Sequence, residues 1–203
     1  AQTTEVDVMT ATGTSGYVPA YMNYNNSYSQ SIYTPTEVTT TGTITGISWE
    51  IPSATAADWT VYIELYLGEN SINAFGVNSS FLPVESLTLV YAGNVTFTSG
   101  WTHIDFATPF EYLGANNLIV ATLKTNTAYS SRSFSIAAVT DTTSICKYSD
   151  TQGAITTSTA VEGSCSRLKN KPIMKLSFTE GEFCPGMANL TASGTTSTST
   201  TLS

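Results

Sequence analysis

Hydrophobic and polar residues alternate with a period of two through most of the chain, which is the pattern of β-strands with one buried face. The clearest run, TVYIELYL at 60–67, places four aliphatic residues on one face and Tyr62 and Tyr66 on the other. A second run at 43–51 alternates in the same way, with Trp49 on its apolar face. No segment carries apolar residues at the i, i+3, i+4, i+7 spacing over three turns, so the pattern predicts strands rather than helices.

Shorter runs predict further strands, at 86–97, 101–106, 117–124, 134–138 and 174–178. The run at 86–97 fits either one long strand with a bulge at Gly93 or a hairpin. The run at 117–124 is apolar on both faces, as a central strand is. Because clusters of Gly, Asn, Ser and Pro separate these runs, we predict an all-β fold. The expected architecture is a two-sheet antiparallel β-sandwich, jelly-roll-like, with about ten strands.

Composition narrows the range of partners. Charged residues make up only 11% of the chain, against roughly 25% in an average domain, so Thr, Ser and Asn supply the polar surface, as in many secreted β proteins. The net charge of −8 and the total of seven Lys and Arg argue against a nucleic-acid partner, because phosphate binding needs a basic surface. No apolar run approaches the ~18 residues of a membrane helix, so no membrane insertion is predicted.

The acidic residues suggest one cofactor, a structural Ca²⁺ ion, which binds roughly six to eight oxygen ligands. The candidate ligands in predicted turns are Asp58, Glu69, Asn70, Asp141 and Asp150. The chain has no Asp-x-Asp-x-Asp run, so calcium is possible but no ligand position is assigned, and no other cofactor is predicted.

The alternation stops near residue 180 and divides the chain into three parts. Residues 1–180 are predicted to form the sandwich domain, 181–188 a linker, and 189–203 the first strands of a following module that is cut short. The chain begins with Ala1 and Gln2 and no Met, which is expected of a mature chain after removal of a signal peptide. A trimmed start is the alternative.

The segment CPGMANLTASGTTSTSTTLS, which begins at Cys184, resembles the junction that opens a bacterial fibronectin type III module. Met187 and Ala188 stand where such junctions usually have Pro and Thr. Residues 1–180 resemble the N-terminal domain of large secreted surface proteins of Bacteroidetes, which are exported by the type IX system. The residues that carry this resemblance include Tyr17, Pro19, Tyr24, Tyr28, Gln30, Tyr33, Gly42 to Ile47 and Thr108 to Tyr112.

The resemblance implies a secreted protein at the bacterial cell surface. It implies little about activity, because the same domain precedes adhesins, peptidases and glycan-active enzymes. Asp141, Thr142 and Thr143 also match the short O-glycosylation pattern of that phylum, which predicts glycosylation of Thr142.

The segment YVPAYMNYNNSYSQSIY at 17–33 is the best candidate for binding, because five of its residues are tyrosines. Tyrosine combines a flat apolar face with a hydroxyl group, and sugar rings stack on such faces. The predicted ligand contacts are Tyr21, Tyr24, Tyr28, Trp59, Tyr62 and Tyr66. The alternative for 17–33 is a strap that packs over the sandwich, and the outward stripe of Tyr62 and Tyr66 is either a binding platform or a surface covered by a loop.

Cysteine and histidine complete the inventory of reactive residues. Cys146 and Cys165 flank a segment rich in Gly, Thr and Ser, so a disulfide between them is expected, which leaves Cys184 unpaired. His103 is the one histidine, and it is interpreted as a surface residue of a strand beside Asp105. Neither a nucleophile motif nor a distinctive carboxylate pair accompanies it, so no catalytic residue is predicted and the chain is not interpreted as an enzyme.

Together these features predict a non-catalytic extracellular module for binding or adhesion, whose partner is a glycan or a surface protein, with glycan the leading class. The second hypothesis is a structural subunit or spacer, in which residues 189–203 pair with a sheet of a neighbouring copy to build a fibre. The third is a part of a secreted hydrolase.

Overall fold

A computed structural model describes residues 2–52, 58–77, 81–158 and 165–179, and these residues form an all-β protein. The strands are β1 (Thr3–Val8), β2 (Gly13–Ser15), β3 (Asn26–Tyr33), β4 (Gly42–Ile51), β5 (Trp59–Asn70), β6 (Thr88–Phe97), β7 (Gly100–Tyr112), β8 (Asn117–Thr125), β9 (Phe134–Ala138), β10 (Ser144–Ser149), β11 (Cys165–Leu168), β12 (Asn170–Pro172) and β13 (Met174–Thr179). One short helix, α1 (Pro35–Val38), and a 3₁₀ turn (Val84–Ser86) complete the elements of this part of the chain. In the same residues, no helix has both the length and the apolar character that crossing a bilayer requires.

The strands form two large antiparallel sheets and a small one. The first sheet has the order β11-β10-β3-β8-β5-β6, the second β1-β13-β4-β7, and the small sheet β12-β9-β2. Four of the pairings are nested along the chain: β1 with β13, β3 with β8, β4 with β7, and β5 with β6. Such nesting arises when a long hairpin folds over on itself, and it is the connectivity of a jelly roll. The predicted all-β, jelly-roll-like sandwich is confirmed.

The main core lies between the six-stranded and four-stranded sheets. The aliphatic face of β5 points into it, and Trp49 of β4 is fully buried there, edge-on to Phe134 at 6.5 Å between ring centroids. Each buried aliphatic or aromatic side chain contributes about 1.5–3 kcal/mol. A slip of one residue would turn these faces to solvent, so the period-two pattern also specifies the register.

Residues 71–87 cover the outer face of the six-stranded sheet, with 78–80 outside the described part. Phe81 packs on Tyr28 with 4.8 Å between ring centroids. The side-chain amide of Gln30, itself fully buried, donates to the Leu82 carbonyl (2.9 Å) and accepts from the Leu82 N–H (2.8 Å). Gln30 thus pairs with the covering segment as a neighbouring strand would. Of the outward stripe on β5, Tyr66 packs under this covering segment, whereas Tyr62 stays partly exposed.

Two details of the predicted elements differ from the structure. The run at 86–97 is one long strand, and its irregularity lies where Leu65 and Tyr66 face Tyr91 and Leu89, so the bulged residue is Val90 rather than Gly93. The second half of the tyrosine-rich segment is no strap, because β3 is an interior strand of the six-stranded sheet, paired with β8 on one side and β10 on the other.

The predicted disulfide between Cys146 and Cys165 is wrong, and both residues are free thiols. They lie on adjacent antiparallel strands, but Cys146 is opposite Ser166 and Cys165 is opposite Lys147. Neighbouring register positions point to opposite faces of a sheet, so the two sulfur atoms are separated by the sheet itself. Burial raises the pKa of the Cys146 thiol well above its usual range. Cys184, the linker and the predicted module at 189–203 lie outside the described residues.

A buried ion pair attaches α1 to the sandwich. Lys171 of β12 is only 1% exposed, and its ammonium group donates to both carboxylate oxygens of Glu37 (2.9 and 2.8 Å) and to the Ile32 carbonyl (2.7 Å). Burial lowers the pKa of Lys171, while the Glu37 carboxylate opposes that change. Glu37 also caps the helix by accepting the Thr34 N–H at 2.7 Å, so one carboxylate serves both contacts.

Candidate ligand-binding site

Residues 16–25, here called the tyrosine loop, connect β2 to β3 and carry three tyrosines that meet a fourth from β10. The closest rings are Tyr24 and Tyr148, whose centroids lie 4.4 Å apart, and Tyr21 lies 4.7 Å from Tyr148 in an edge-on arrangement. Tyr17 packs on Tyr21 at 4.5 Å. These separations are typical of favourable aromatic pairs, and each of the four residues is only half-buried. The cluster therefore presents tyrosine rings to solvent while holding them in place.

Beside this cluster lies an open depression of about 540 Å³, here called the tyrosine concavity. Its lining consists of Tyr21, Tyr24, Tyr129, Asn23, Ser131 and Asp150. Tyr129 is 70% exposed, so most of its ring surface is open to a ligand. The volume falls in the ~300–1,000 Å³ range of small-ligand sites, and the combination of aromatic faces with a few polar groups is the usual lining of such sites.

The tyrosine loop is held from below by Lys124 of β8, which is fully buried. Its ammonium group donates to the carbonyl oxygens of Tyr21 (3.4 Å), Asn25 (3.3 Å) and Tyr24. Burial lowers the pKa of Lys124 to about 8, and the nearby carboxylate of Asp150 opposes this shift. One buried cation thus ties three carbonyl groups of the tyrosine loop to the sheet, much as a bound metal ion would.

Asp150 fastens the loop from the side. Its Oδ1 accepts the backbone N–H of Asn25 at 3.0 Å, and the Asn25 side chain donates to the Asp150 carbonyl at 3.4 Å. Asp150 follows β10 directly, so the same strand supplies both this carboxylate and the Tyr148 ring. The site therefore combines β3, β8 and β10, which are neighbours in the six-stranded sheet.

The phenol group of Tyr21 is a neutral hydrogen-bonding group. Burial, and after it the neighbouring Tyr17, raises the pKa of Tyr21 to about 12. Tyr21 therefore keeps its proton at neutral pH, and its hydroxyl, which shares a hydrogen bond with the Tyr17 side chain, is a polar group next to a flat ring face. This pairing suits a ligand with apolar faces rimmed by hydroxyl groups.

Of the six predicted contact residues, Tyr21 and Tyr24 lie in the concavity. Tyr28 is a core residue: it is 0% exposed beneath residues 71–87, and its hydroxyl accepts from Gln30 at 3.0 Å. Tyr66 lies under the same cover and donates to Glu64 at 2.6 Å, whereas Tyr62 is 38% exposed on the outer face of β5.

Trp59 lies at the start of β5, half-buried against the main core. The Arg132 guanidinium is 5.8 Å from its ring centroid, a distance at which a cation is attracted to the ring. Trp59 is thus occupied by an internal contact, and it is not part of the concavity lining.

Tyr129, Tyr148 and Asp150 are among the residues of the site that the sequence did not predict as ligand contacts. Tyr129 is an isolated aromatic residue in the polar stretch NTAYSS, and an aromatic residue in such a loop is a usable signal of binding. Tyr148 and Asp150 carry no comparable local signal, because only the pairing of β10 with β3 brings them to the tyrosine loop.

A second polar constellation lies on the outer face of the four-stranded sheet. His103 donates or accepts through Nδ1 with the Ser48 hydroxyl at 2.9 Å, and its Nε2 lies 3.1 Å from Asp105 Oδ1. Gly46 makes room for the ring, since a Cβ there would lie 2.7 Å from His103 Cε1.

These are the residue types of a serine-hydrolase triad, but their exposure is reversed. Ser48 is 3% exposed, whereas the Asp105 side chain is 93% exposed. In a working triad the carboxylate is buried and orients the imidazole, and the hydroxyl faces the substrate. Here the hydroxyl lies under the imidazole and is not presented to a substrate.

The predicted metal and modification sites gain no further support. The described residues contain no group of three or more His, Cys, Asp and Glu side chains arranged to hold a metal ion. Of the calcium candidates, Glu69 accepts the Gly114 N–H at 2.9 Å and Asn70 the Ile72 N–H at 3.0 Å. Thr142 is half-buried, and its carbonyl accepts the Phe75 N–H at 2.7 Å, so its glycosylation stays a prediction.

No protein-family model matches this chain, and no curated protein matches it in sequence. The function is therefore argued from the geometry of the site.

Proposed function

We propose that this β-sandwich is a non-catalytic binding module of a secreted, surface-located bacterial protein, and that the tyrosine concavity binds glycan. The observation that carries the proposal is the convergence of Tyr21, Tyr24 and Tyr129 on one open depression with Asn23 and Asp150 at its edge. Rigid tyrosines give a large contact area at low entropic cost, and their hydroxyls complement those of a sugar.

The shape of the depression favours an extended ligand over an enclosed small molecule. It is open to solvent, and the exposed Tyr129 lines it from a chain segment other than the tyrosine loop. A sugar chain exposes the two faces of each ring and places its hydroxyls around the edge, so it can stack between such walls. The low content of charged residues and the threonine-rich surface support an extracellular setting.

The direct test is a glycan array followed by calorimetry with the best glycan on the wild-type protein. Tyr24→Ala and Tyr129→Ala should each weaken binding by at least about ten-fold, since each removes one stacking face and ~1.4 kcal/mol is a factor of ten. Tyr129→Ala is the cleaner variant, because a side chain that is 70% exposed adds little to the core.

Trp101→Ala is the matched control, because Trp101 is an aromatic residue 38% exposed on a different surface, where Lys175 lies 5.1 Å from its ring. It should leave affinity unchanged. An array without signal would refute the proposed function. If both tyrosine variants bind normally and Trp101→Ala does not bind, the glycan site is not the tyrosine concavity.

A further inference from the structure

Resting on the proposed function, we infer that the saccharide selected by the tyrosine concavity carries a protonated amino group, as a hexosamine without its acetyl group does. The described lining of the concavity contains three tyrosine rings and one carboxylate, which attract a cation, and no basic side chain, which an anion would need. The inference therefore names the charge class of the ligand, which the glycan proposal leaves open.

The carboxylate is that of Asp150, which is the one carboxylate among the lining residues that the structure describes. Its Oδ1 is fixed by the Asn25 N–H at 3.0 Å, and no described residue donates a hydrogen bond to Oδ2. Asp150 is exposed, so that second oxygen is open to a ligand from the concavity. A carboxylate anchored through one oxygen is oriented before the ligand arrives, which lowers the entropic cost of binding.

The rings supply the rest of the attraction. An ammonium group over the face of a tyrosine within about 6 Å of its centroid is stabilised by the negative face of the ring. Tyr21 and Tyr24 lie 5.0 Å apart, and Tyr129 forms another wall of the same depression. An amino sugar can therefore place its ring on one tyrosine and its ammonium group near another and near Asp150.

The basic residues near the site do not reverse this preference. Lys124 is fully buried below the loop, and its charge is taken up by three backbone carbonyls and by Asp150. Arg132 is 5% exposed, lies over the Trp59 ring and is absent from the lining. The net charge of −8 further disfavours sulfated or uronic-acid glycans.

The test compares two probes of equal length by calorimetry in mildly acidic buffer: an oligomer of glucosamine, with protonated amines, and the N-acetylated oligomer. Wild-type protein should bind the glucosamine oligomer about five- to ten-fold more tightly, the sum of an exposed ion pair and a cation–ring contact. Asp150→Asn keeps the acceptor for the Asn25 N–H and should lower that preference, taken as the ratio of the two affinities measured on the same variant, two- to five-fold, roughly the share of an exposed ion pair.

Asp141→Asn is the control for nonspecific attraction of a polycation. Asp141 is also exposed and lies near the other end of β10, and its substitution changes the net charge by the same amount. It should leave the preference intact. Equal affinity for both probes, tighter binding of a uronic-acid oligomer, or equal effects of the two substitutions would overturn the inference and leave glycan binding standing. Failure of the glycan array as well would overturn the proposed function itself.

Discussion

Lys124→Met removes the ammonium group beneath the tyrosine loop while keeping a side chain of similar length. The substitution then makes two large and opposite contributions to the free energy of unfolding. The lowering of the Lys124 pKa from 10.5 to about 8 means that the charged form costs the folded state up to about 3 kcal/mol, and less to the extent that water reaches it. Methionine removes that cost, but it leaves three carbonyl oxygens without a donor, each of which had a charge-assisted bond worth about 1.5–3 kcal/mol.

The carbonyl oxygens can regain hydrogen bonds only from water, which requires the tyrosine loop to leave its present position. We therefore expect the free energy of unfolding to change by no more than about 2 kcal/mol, while the loop rearranges and glycan affinity falls by at least about ten-fold. A loss of binding without a comparable loss of stability is the signature of a residue that positions the site.

Hydrogen exchange of the backbone amides at 21–25 measures this directly and needs no ligand. Exchange should accelerate there in Lys124→Met, because the Asn25 N–H is protected by its bond to Asp150 only while the loop is in place. Urea unfolding followed by tryptophan fluorescence gives the stability. Lys169→Met is the control, since Lys169 is exposed and its backbone carbonyl, not its side chain, accepts the Val139 N–H. Exchange at 21–25 that matches the wild type would refute the proposed role of Lys124.

The remaining predictions concern stability and thiol chemistry. Between about pH 8 and pH 9 the unfolded state retains the Lys124 proton that the folded state has released, so the unfolding free energy should rise with pH. Above about pH 9 the buried Cys146 thiol keeps a proton that the unfolded state loses, and above about pH 10 the buried tyrosines do the same, so the rise should end and the free energy should then fall. Urea unfolding across pH 6 to 11 checks this, and a steady decline from pH 8 would contradict it. Lys171→Met should cost about 3 kcal/mol in urea unfolding, because it leaves the partly buried Glu37 carboxylate unpaired, and the double variant with Glu37→Gln should recover part of that loss. Cys146 and Cys165 should both be alkylated in denaturant without reductant, with Cys146 unreactive in the native protein; a mass spectrum with an intact bridge between them would show that the register of β10 and β11 is wrong.

Local pattern was sufficient for the sandwich itself. The alternation in β5 specified which side chains enter the core, and those four aliphatic residues are each 1% exposed or less. The uniformly apolar run of β8 likewise indicated an interior strand, and β8 lies between β3 and β5. Both features follow from residues next to one another in the chain, because side-chain direction in a strand depends only on position parity.

In the tyrosine-rich segment, local pattern does not determine which side chains are exposed. Tyr24 and Tyr28 are four residues apart in similar polar surroundings, yet one lines an open site and the other is sealed under residues 71–87. The difference arises because β3 begins at Asn26 and its outer face is covered by a segment more than forty residues away. Composition carries no information about that cover.

The rest of the site depends on pairings between distant strands. Lys124 and Asp150 contact Asn25 of the tyrosine loop, 99 and 125 residues away, only because β8 and β10 flank β3. A shift of one register position likewise keeps Cys146 from Cys165. Period-two alternation decides which face a side chain takes, whereas the neighbours it meets are decided by which strands pair and in which register. That choice depends on the packing of the whole sandwich, so only the tertiary structure reveals it.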